Sequence, residues 1–479
     1  MTAGTLLALA GSLGTAAAAP AGSRSPDTGT AAAQAGGTSR STDGVWRLDG
    51  YGMVVSVRGG ELRSWDTTAI SCIPALAAPQ QGAPAPDGTV RFDAGDFTLT
   101  VRPQARDRAV LRVLGTVGDR GMRRIGAVPP LCGRAQPTGP VASFDVYWQT
   151  FKENYAFFAS RGVDWEAARA EYRPKVHART TPDQLFDILS EMTAPLQDAH
   201  VALGAATPEL TRSFEMFRPG TTPPTDEYDR RIRKFIERRD LGGTPLEQHA
   251  KGAVGYAELP GGIAYLRISR FGDYAPGTGD FEADSAELTR VLDRIITRTR
   301  TTGPGAWRGL IIDARFNQGG SDALGLQIAA RLTNRSYPAY AKQARNHPDD
   351  DTRFTRRQTL HVVPATGSPR YTGPIALLTS GSTVSAGETF TKALAERPES
   401  TTLIGANTQG VLSDTLGRSL PNGWQFSLSN EKYTNPRGFS YEGPGIPPHI
   451  STPVFTEKEF AADRDSAFDR ARALLTRRP

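Results

Sequence analysis

Short apolar strands separated by amphipathic helices fill the second half of the chain, and this alternation constrains the fold more than any other feature. Strands of the buried type are predicted at Ile263–Ile268, 310–314 and Ile375–Thr379. Helices are predicted after them at 284–298, 323–332 and 386–396. Strands that alternate with helices form a largely parallel sheet with right-handed crossovers. The pattern therefore predicts an α/β core over residues 255–455, followed by a C-terminal helix within residues 456–479.

The first half of the chain has different patterns. Residues 44–135 alternate apolar and polar side chains between Gly and Asp turns, which predicts an all-β domain, either a small barrel or a sandwich. Residues 141–205 instead carry aromatic side chains at helical spacing: Phe144, Tyr147, Trp148, Phe151 and Tyr155. Such a stripe is typical of a packed helix face rather than of a ligand box. Residues 206–254 have the pattern of a charged helix and loops.

Composition excludes some classes of protein. Hydrophobic residues make up 38% of the chain and charged residues 22%, so a packed core is expected and wholesale disorder is excluded. Lys and Arg (56) exceed Asp and Glu (50) only slightly, which gives a net charge of +6. A nucleic-acid-binding surface would need basic residues clustered on one face. The one dense run, 229–240, mixes acids with bases and favours a solvated helix face.

The N-terminus has the pattern of an export signal. Residues 1–19 contain an apolar stretch that begins at Leu6 and ends in small residues, although no basic residue precedes it. Residues 20–43 are rich in Ala, Gly, Ser and Thr, which is typical of a flexible linker. No other stretch is long and apolar enough to predict a transmembrane helix. The sequence therefore predicts a secreted or extracytoplasmic protein without an integral membrane segment after signal removal.

The two cysteines, Cys72 and Cys132, are consistent with export. An even number of cysteines in a secreted chain favours a disulfide. It would close a loop of about 61 residues and contribute on the order of 4 kcal/mol. Two buried free thiols are the alternative. No metal site is predicted, because neither cysteine has a second Cys or a His at ligand spacing.

Two loops at the carboxyl ends of predicted core strands stand out, because ligands of α/β sheets gather at these ends. The first loop follows Asp313 and contains Gly319 and Gly320 before a helix. Backbone N–H groups at a helix N-terminus favour an anion, and a plain tight turn is the alternative. A Walker loop is excluded, because no Gly-Lys-Ser/Thr sequence follows.

The second loop, 380–388, leads into the helix that begins after Ser385. Ser385 and Glu388 have the spacing of a capping box, so Ser385 either caps the helix only or is a nucleophile. In the second case, the Ala386 N–H would face the oxyanion formed on an attacked carbonyl. Ser380 and Ser382 are rival nucleophiles on the same turn.

A nucleophilic serine needs a base, since its free hydroxyl is a weak nucleophile. Among the six histidines, His200 stands out because it lies between a loop and a short strand. Glu442 lies in a loop rich in Gly and Pro, which would hold its carboxylate at a fixed angle to orient the base. Each residue alone also has an ordinary structural explanation.

These residues belong to motifs that occur in order along the chain. The motifs are Leu196-x-Asp198-x-His200-Val201, Asp313-x-Arg315-x-Asn317-x-Gly319-Gly320, Ser385-Ala386-Gly387-Glu388 and Glu442-Gly443-x-Gly445-Ile446-x-Pro448. In them, and in the helical stretch before His200, residues 144–455 resemble the C-terminal processing (tail-specific) serine peptidases, and within them the branch related to the tricorn protease core. The resemblance implies a core of the ClpP/crotonase type and hydrolysis of unstructured polypeptides.

The resemblance also implies catalytic roles: Ser385 as nucleophile, His200 as base, Glu442 as the acid that orients the base, and the N–H groups of Ala386 and of Gly319 or Gly320 as the oxyanion hole. The Ser–Lys branch of the family has a lysine in a stretch that here, at 407–412, contains none. Lys392, two helical turns beyond Ser385, is the alternative base. Many members carry a PDZ domain after the His motif, and none is predicted within 206–254. No metal or organic cofactor is implied.

The sequence thus predicts a secreted serine endopeptidase that acts on polypeptides through an acyl-enzyme. A non-catalytic ligand-binding protein on the same fold is one alternative. A crotonase-like acyl-CoA enzyme is another, which export to a place without CoA disfavours. The cleavage preference, the oligomeric state and the role of the all-β domain are left open by the sequence.

Overall fold

The structure is a computed structural model that describes residues 41–277 and 280–476. The predicted signal peptide, and residues 20–40 of the predicted linker, lie outside the described residues. Within them the chain forms an N-terminal all-β barrel, a helical segment and an α/β core. The predicted fold class is therefore confirmed.

The N-terminal domain is a closed barrel of eight antiparallel strands, in which each strand pairs with the next and the last pairs with the first. Its strands are β1 (Gly44–Leu48), β2 (Met53–Arg58), β3 (Glu61–Thr67), β4 (Cys72–Gln81), β5 (Val90–Asp93), β6 (Thr98–Ala105), β7 (Arg108–Val113) and β8 (Arg120–Ile125). Alternate side chains face the barrel core, where Val55, Phe92 and Val101 are fully buried. Eight strands enclose an interior that side chains can fill. The all-β domain is thus a barrel and not a sandwich.

Cys72 in β4 forms a disulfide with Cys132, which lies in a short 3₁₀ turn after the barrel. We expect reduction of this bond to lower the free energy of unfolding by about 4 kcal/mol, because the bond closes a loop of about 61 residues. Urea unfolding with and without dithiothreitol measures the difference. In a Cys72→Ser/Cys132→Ser double variant the reductant should change nothing, and an equal effect on both proteins would contradict the prediction.

Four helices follow the barrel: α1 (Pro140–Asn154), α2 (Phe158–Arg161), α3 (Trp165–Tyr172) and α4 (Pro182–Thr193). The aromatic stripe lies along α1 and just after it, and its side chains are buried. Phe151, for example, stacks on Phe426 of the α/β core with ring centroids 6.0 Å apart. Helix α4 begins with a complete capping box between Thr181 and Gln184. The stripe is therefore a packing face.

The rest of the described chain is the α/β core. Its first part contains β9 (Ala202–Thr207), β10 (Leu210–Glu215), α5 (Asp226–Phe235), β11 (Glu247–His249), β12 (Val254–Leu259), β13 (Ile263–Ile268), α6 (Phe281–Ile295), α7 (Arg298–Thr301) and β14 (Gly309–Asp313). Its second part contains β15 (Phe316–Asn317), α8 (Asp322–Ala330), β16 (Tyr337–Ala344), β17 (Gln358–Val362), β18 (Ile375–Thr379), β19 (Ser382–Thr383), α9 (Ala386–Ala395), β20 (Thr401–Gly405), β21 (Thr415–Ser419), β22 (Gln425–Ser429), β23 (Glu431–Thr434), β24 (Ile450–Ser451), α10 (Glu457–Ala461) and α11 (Ser466–Thr476).

The central sheet has seven strands in the order β11-β12-β13-β14-β18-β20-β24. The first three are antiparallel, and from β13 onward neighbouring strands are parallel. Strands β13, β14 and β18 are buried along their whole length, which explains their continuous apolar sequences. Because β14 and β18 are adjacent and parallel, the loops after them leave the sheet at the same edge. These are the two loops that the sequence singles out.

Two antiparallel sheets complete the core, with the orders β10-β9-β22-β21 and β17-β16-β23. A small parallel pair, β15 with β19, joins the two loops at the edge of the central sheet. Residues 206–254, for which the sequence predicts a charged helix and loops, contribute the strands β10 and β11 as well as helix α5.

The charged run 229–240 forms most of α5 and a π-helical turn over Ile236–Asp240. Its arginines pair with acids at the C-terminal end of the chain: Arg231 with Glu457, Arg238 with Asp463, and Arg239 with Asp469. The prediction of a solvated face is wrong for part of the run, because Asp240 is buried. The predicted C-terminal helix is divided into α10 and α11.

Asp240 gives a testable dependence of stability on pH. Its carboxyl lies beside that of Asp465 and accepts a hydrogen bond from Arg239 at 3.0 Å. Burial and the neighbouring Asp465 raise the pKa of Asp240 to about 8. Between about pH 4, where the unfolded carboxyl titrates, and pH 8, the folded state holds one more proton than the unfolded state. Its stability therefore falls as the pH rises through this window.

We expect Asp240→Asn to flatten this slope, by at most about 1.4 kcal/mol per pH unit. The asparagine keeps an oxygen for Arg239 and supplies a permanent donor to Asp465. Urea unfolding at several values between pH 5 and pH 8.5 measures the slope in both proteins. Parallel slopes would show that Asp240 is not the group responsible.

Candidate active site

The small β15–β19 pair determines how the two loops meet. Phe316 lies opposite Ser382 and Asn317 opposite Thr383, so the first loop runs alongside the turn that leads to Ser385. Contact is closest at Gly319, where an added Cβ atom would lie 2.6 Å from the Cβ of Ser385. Only glycine fits between the two loops at this position. The structure thus brings the Gly pair and the candidate nucleophile into direct contact.

Ser385 has a strained backbone at the N-terminus of α9. Its φ of 56° and ψ of −119° lie outside the regions that a side chain other than glycine adopts at low cost. Such strain persists only where the surroundings enforce it, and it is concentrated at functional sites. Here the Ser385 N–H donates to the Glu388 carboxylate at 3.3 Å, as the predicted capping box requires. The side chain itself is half-buried.

The hydroxyl groups distinguish the three serines of this turn. Ser380 and Ser382 are buried, and their hydroxyls donate to the backbone carbonyls of Arg315 and Thr222. Among the described residues, no acceptor receives a hydrogen bond from the Ser385 hydroxyl. Of the three serines, Ser385 alone is therefore accessible and has a hydroxyl that is not engaged as a donor within the described residues.

Two backbone N–H groups beside Ser385 are unpaired within residues 41–277 and 280–476: those of Ala386 and Gly320. The Gly319 N–H, by contrast, donates to the Asn317 side chain at 2.9 Å. Asn317 is fully buried and also donates to the carbonyl of Ile268 at 2.9 Å, which fixes its orientation. Of the two glycines that the sequence offers for an oxyanion hole, the geometry favours Gly320.

His200 lies on the loop 196–201, here called the His loop, between α4 and β9. Ala199 before it packs with Val384, the residue before Ser385, in a small apolar cluster. The His200 N–H donates to Asp198 at 2.9 Å, while the ring Nδ1 is buried and has no hydrogen-bond partner in the described chain. Burial lowers the pKa of His200, and the nearby Asp198 opposes this effect. The imidazole is therefore neutral and able to accept a proton at neutral pH.

Glu442 is buried in the loop before β24. Its Oε2 accepts hydrogen bonds from the N–H groups of Leu412 and Ser413 at 3.0 and 3.2 Å. Oε1 lies 3.7 Å from the Arg161 guanidinium and has no hydrogen-bond partner among the described residues. Burial, followed by the charge of Asp198, raises the pKa of Glu442 well above its ordinary value.

The predicted Ser385, His200 and Glu442 thus lie on loops that contact one another, but they are not hydrogen-bonded to one another. Within the described part of the chain, no hydrogen bond joins the His200 ring to the Ser385 hydroxyl or to the Glu442 carboxylate. The His200 ring and the Glu442 carboxylate both approach the backbone of Ser413, and Glu442 accepts a hydrogen bond from its N–H. In structures without substrate, catalytic hydrogen bonds are often long and shorten only in the bound complex.

Glu388 is a residue that the sequence assigns only to a helix cap. It is fully buried, and besides the Ser385 N–H it accepts from Thr408, Gly410 and Val411 at 2.6–2.8 Å. These bonds join the nucleophile to the segment 408–412, here called the 408–412 turn. Burial raises the pKa of Glu388 to about 7, against the effect of these donors. The partners of Glu388 in the 408–412 turn are distant in the sequence, so nothing in the motif around Ser385 predicts these hydrogen bonds.

Lys392, the alternative base, is buried on α9. Its Nζ lies 4.9 Å from the centre of the Tyr441 ring and has no hydrogen-bond partner among the described residues. Burial lowers the pKa of Lys392 to about 7. Two helical turns, about 10 Å of rise, separate it from Ser385. It makes no hydrogen bond to the Ser385 side chain.

Over the described residues, no group of three or more His, Cys, Asp and Glu side chains is arranged to hold a metal ion. No helix in the same part of the chain is long and apolar enough to span a bilayer.

Comparison with known families agrees with this geometry. Residues 262–452, which include both loops and Glu442, match the sequence model of peptidase family S41. Residues 142–194, the helical segment, match that of the tricorn protease C1 domain. The protein is a serine-type peptidase whose α/β core matches family S41. No curated protein matches the sequence of this chain.

Several solved structures are similar to this chain. A protein from Parabacteroides merdae, described as a peptidase, is 23% identical, with a TM-score of 0.57 over 71% of this chain and 97% of its own. Mature CPAF in complex with lactacystin is 12% identical, with a TM-score of 0.48 over 71% and 97%. The photosystem II D1 C-terminal processing protease is 17% identical, with a TM-score of 0.40 over 66% and 94%.

Proposed function

We propose that this serine peptidase is an exported endopeptidase that hydrolyses unstructured polypeptides through an acyl-enzyme formed on Ser385. One observation carries the proposal: a strained, accessible serine at a helix N-terminus lies beside two backbone N–H groups that have no partner within the described residues. Such an arrangement suits the attack of a hydroxyl on a carbonyl and the stabilisation of the resulting oxyanion.

In the proposed acylation, the Ser385 oxygen attacks the peptide carbonyl while His200 takes the hydroxyl proton. General-base help of this kind contributes about 10²–10⁴ in rate. The N–H groups of Ala386 and Gly320 hold the oxyanion, and each such donor contributes roughly 2.7–4 kcal/mol. His200 then gives the proton to the leaving amine, and the C–N bond breaks. Water, activated by His200, releases the acyl group and restores Ser385.

Glu442 is assigned the role of orienting His200 and stabilising the imidazolium that forms on it during these steps. An acid in this role fixes the tautomer of the histidine and stabilises its charged form. The buried Oε1 of Glu442 and the buried Nδ1 of His200 are an acceptor and a donor that both lack partners within the described residues. Closure of the loops on a substrate would satisfy both atoms at once.

The proposed substrate class follows from the shape of the site. Ser385 lies half-buried between the two loops, and Phe217, from the segment after β10, packs against Ala199 and Val384 beside it. An extended chain can reach such a serine more readily than a folded surface can. Export is proposed on the N-terminal signal pattern, and the Cys72–Cys132 disulfide supports it, since disulfides persist in oxidising compartments.

The test combines a covalent probe with two substrates. We expect the purified protein to react with a fluorophosphonate and to cleave unfolded casein at internal positions, as mass spectrometry of the products would show. A tightly folded protein of similar size should remain intact. Failure to react with the probe and to cleave casein would contradict the proposal and favour a non-catalytic, ligand-binding protein on the same fold.

A further inference from the structure

Arg161, the last residue of α2, extends into the candidate active site from the helical segment. Its side chain is 7% exposed. One guanidinium nitrogen donates to the carbonyl of Gln197 in the His loop at 3.0 Å, and the other donates to that of Gly410 in the 408–412 turn at 3.2 Å. Arg161 therefore joins the two segments on which His200 and the partners of Glu442 lie.

The same guanidinium also faces two buried carboxylates. Its Nη2 is 3.7 Å from Oε1 of Glu442 and 3.9 Å from Oδ2 of Asp198. Asp198 has other partners, since it accepts from the Tyr155 hydroxyl at 2.9 Å and from the His200 N–H. Oε1 of Glu442 has no hydrogen-bond donor in the described chain, so Arg161 is the group that compensates its charge.

The contact between Arg161 and Glu442 affects the protonation of Glu442, because the surrounding groups are charged as well. The groups that face Arg161 and Glu442 come from several elements: Tyr155 after α1, Asp198 and His200 in the His loop, Arg218 after β10, Glu388 in α9 and Asp414 after the 408–412 turn. Burial and the charge of Asp198 raise the pKa of Glu442, and Arg161 opposes both. Loss of the guanidinium would raise the pKa of Glu442 further, because an unpaired buried charge is costly.

We propose that Arg161 is a positioning residue that favours the ionised form of Glu442 and holds the His loop against the 408–412 turn. The inference rests on the proposed function, because it takes Glu442 as the acid that orients His200. It also gives the helical segment a part in catalysis, since α2 supplies a cation that faces Glu442.

The experiment compares Arg161→Met, Arg161→Lys and the wild type, with Arg212→Met as a control. Arg212 is a surface arginine that pairs with Asp183 and Asp187, remote from the site. In Arg161→Met we expect the fall of kcat/KM on the acidic side of its pH profile (the acid limb) to move to a pH about one unit higher. A pKa change of about this size follows from the loss of a charge within about 4–6 Å. Removing this cation raises the pKa of both Glu442 and His200, so the two effects have the same sign.

Arg161→Lys keeps the charge but cannot make both hydrogen bonds to the backbone carbonyls of Gln197 and Gly410. We expect it to lower kcat while the acid limb stays in place, and Arg212→Met to change neither. A purely structural role would lower the amount of active enzyme in Arg161→Met without moving the limb, and this result would overturn the proposal. Should Arg161→Met fail to fold, a shifted limb in Arg161→Lys would overturn it equally.

A second readout does not need activity. The imidazole pKa of His200, followed by NMR titration, should rise in Arg161→Met and stay unchanged in Arg212→Met. A wild type that neither reacts with the fluorophosphonate nor cleaves casein contradicts the proposed function. An unchanged His200 titration in Arg161→Met contradicts the role of Arg161, whatever the activity.

Discussion

Ser385→Ala lowers kcat by about 10⁴-fold or more and abolishes labelling by a fluorophosphonate, if the hydroxyl of Ser385 is the nucleophile. The reason is geometric as well as chemical. Among the three serines of the turn, Ser385 alone combines a side chain that is only half-buried with a hydroxyl that donates to no acceptor within the described residues.

Ser380→Ala and Ser382→Ala are the matched controls. Each removes one hydroxyl from the same turn, but the lost hydrogen bonds go to backbone carbonyls of the scaffold. We expect both variants to be less stable and to retain labelling. Single-turnover labelling and circular dichroism separate the two effects. Labelling that survives in Ser385→Ala and disappears in a control would assign the nucleophile to the rival serine.

His200→Gln is the second large effect that we expect, with kcat lowered by about 10²–10⁴-fold and little change in stability. Because burial lowers the pKa of His200, the wild type should stay active below pH 6.5, and the acid limb that His200 contributes should vanish in the variant. Steady-state rates on a fluorogenic peptide between pH 5 and pH 9 test both statements.

Lys392→Met is the control for that experiment. Lys392 is a buried lysine with a pKa near 7, which is also what a catalytic lysine would have, but it lies two helical turns from Ser385. Methionine fills the same space without the cost of desolvating an ammonium group. We therefore expect the variant to keep its activity and to unfold at a higher urea concentration. A loss of activity equal to that of His200→Gln would identify Lys392 as the base.

The elements of the α/β core could be predicted from the sequence because their signals are local. Ile263–Ile268 and Ile375–Thr379 are continuous apolar runs, and both have the predicted bounds. The Thr181 cap of α4 and the packed face of α1 follow from equally local patterns. The loops around Gly319 and Ser385 could be placed at one edge of the sheet because parallel neighbours end together.

The rest of the site could not be predicted, because its determinants are distant in the sequence. Arg161 meets carbonyls 36 and 249 residues away, and a carbonyl carries no sequence signal. The strain at Ser385 appears only as backbone angles, and nothing in the motif shows that Asn317 already uses the Gly319 N–H. Burial of Asp240 likewise depends on helices far along the chain, so a charged run was not sufficient to predict it.

The closed ring of eight strands at the N-terminus has a consequence for how a polypeptide is held. Each of its strands has two neighbours, and among the described residues the longest stretch without a ladder partner on one side is in β4, which pairs with β5 only through Gln80 and Gln81. The outermost strands of the open sheets, such as β10 and β21, each have one neighbour in the described chain and so offer a free row of backbone donors and acceptors to an arriving chain. We therefore expect a substrate that binds by lengthening a sheet to add to one of these outer strands, in the catalytic half of the molecule.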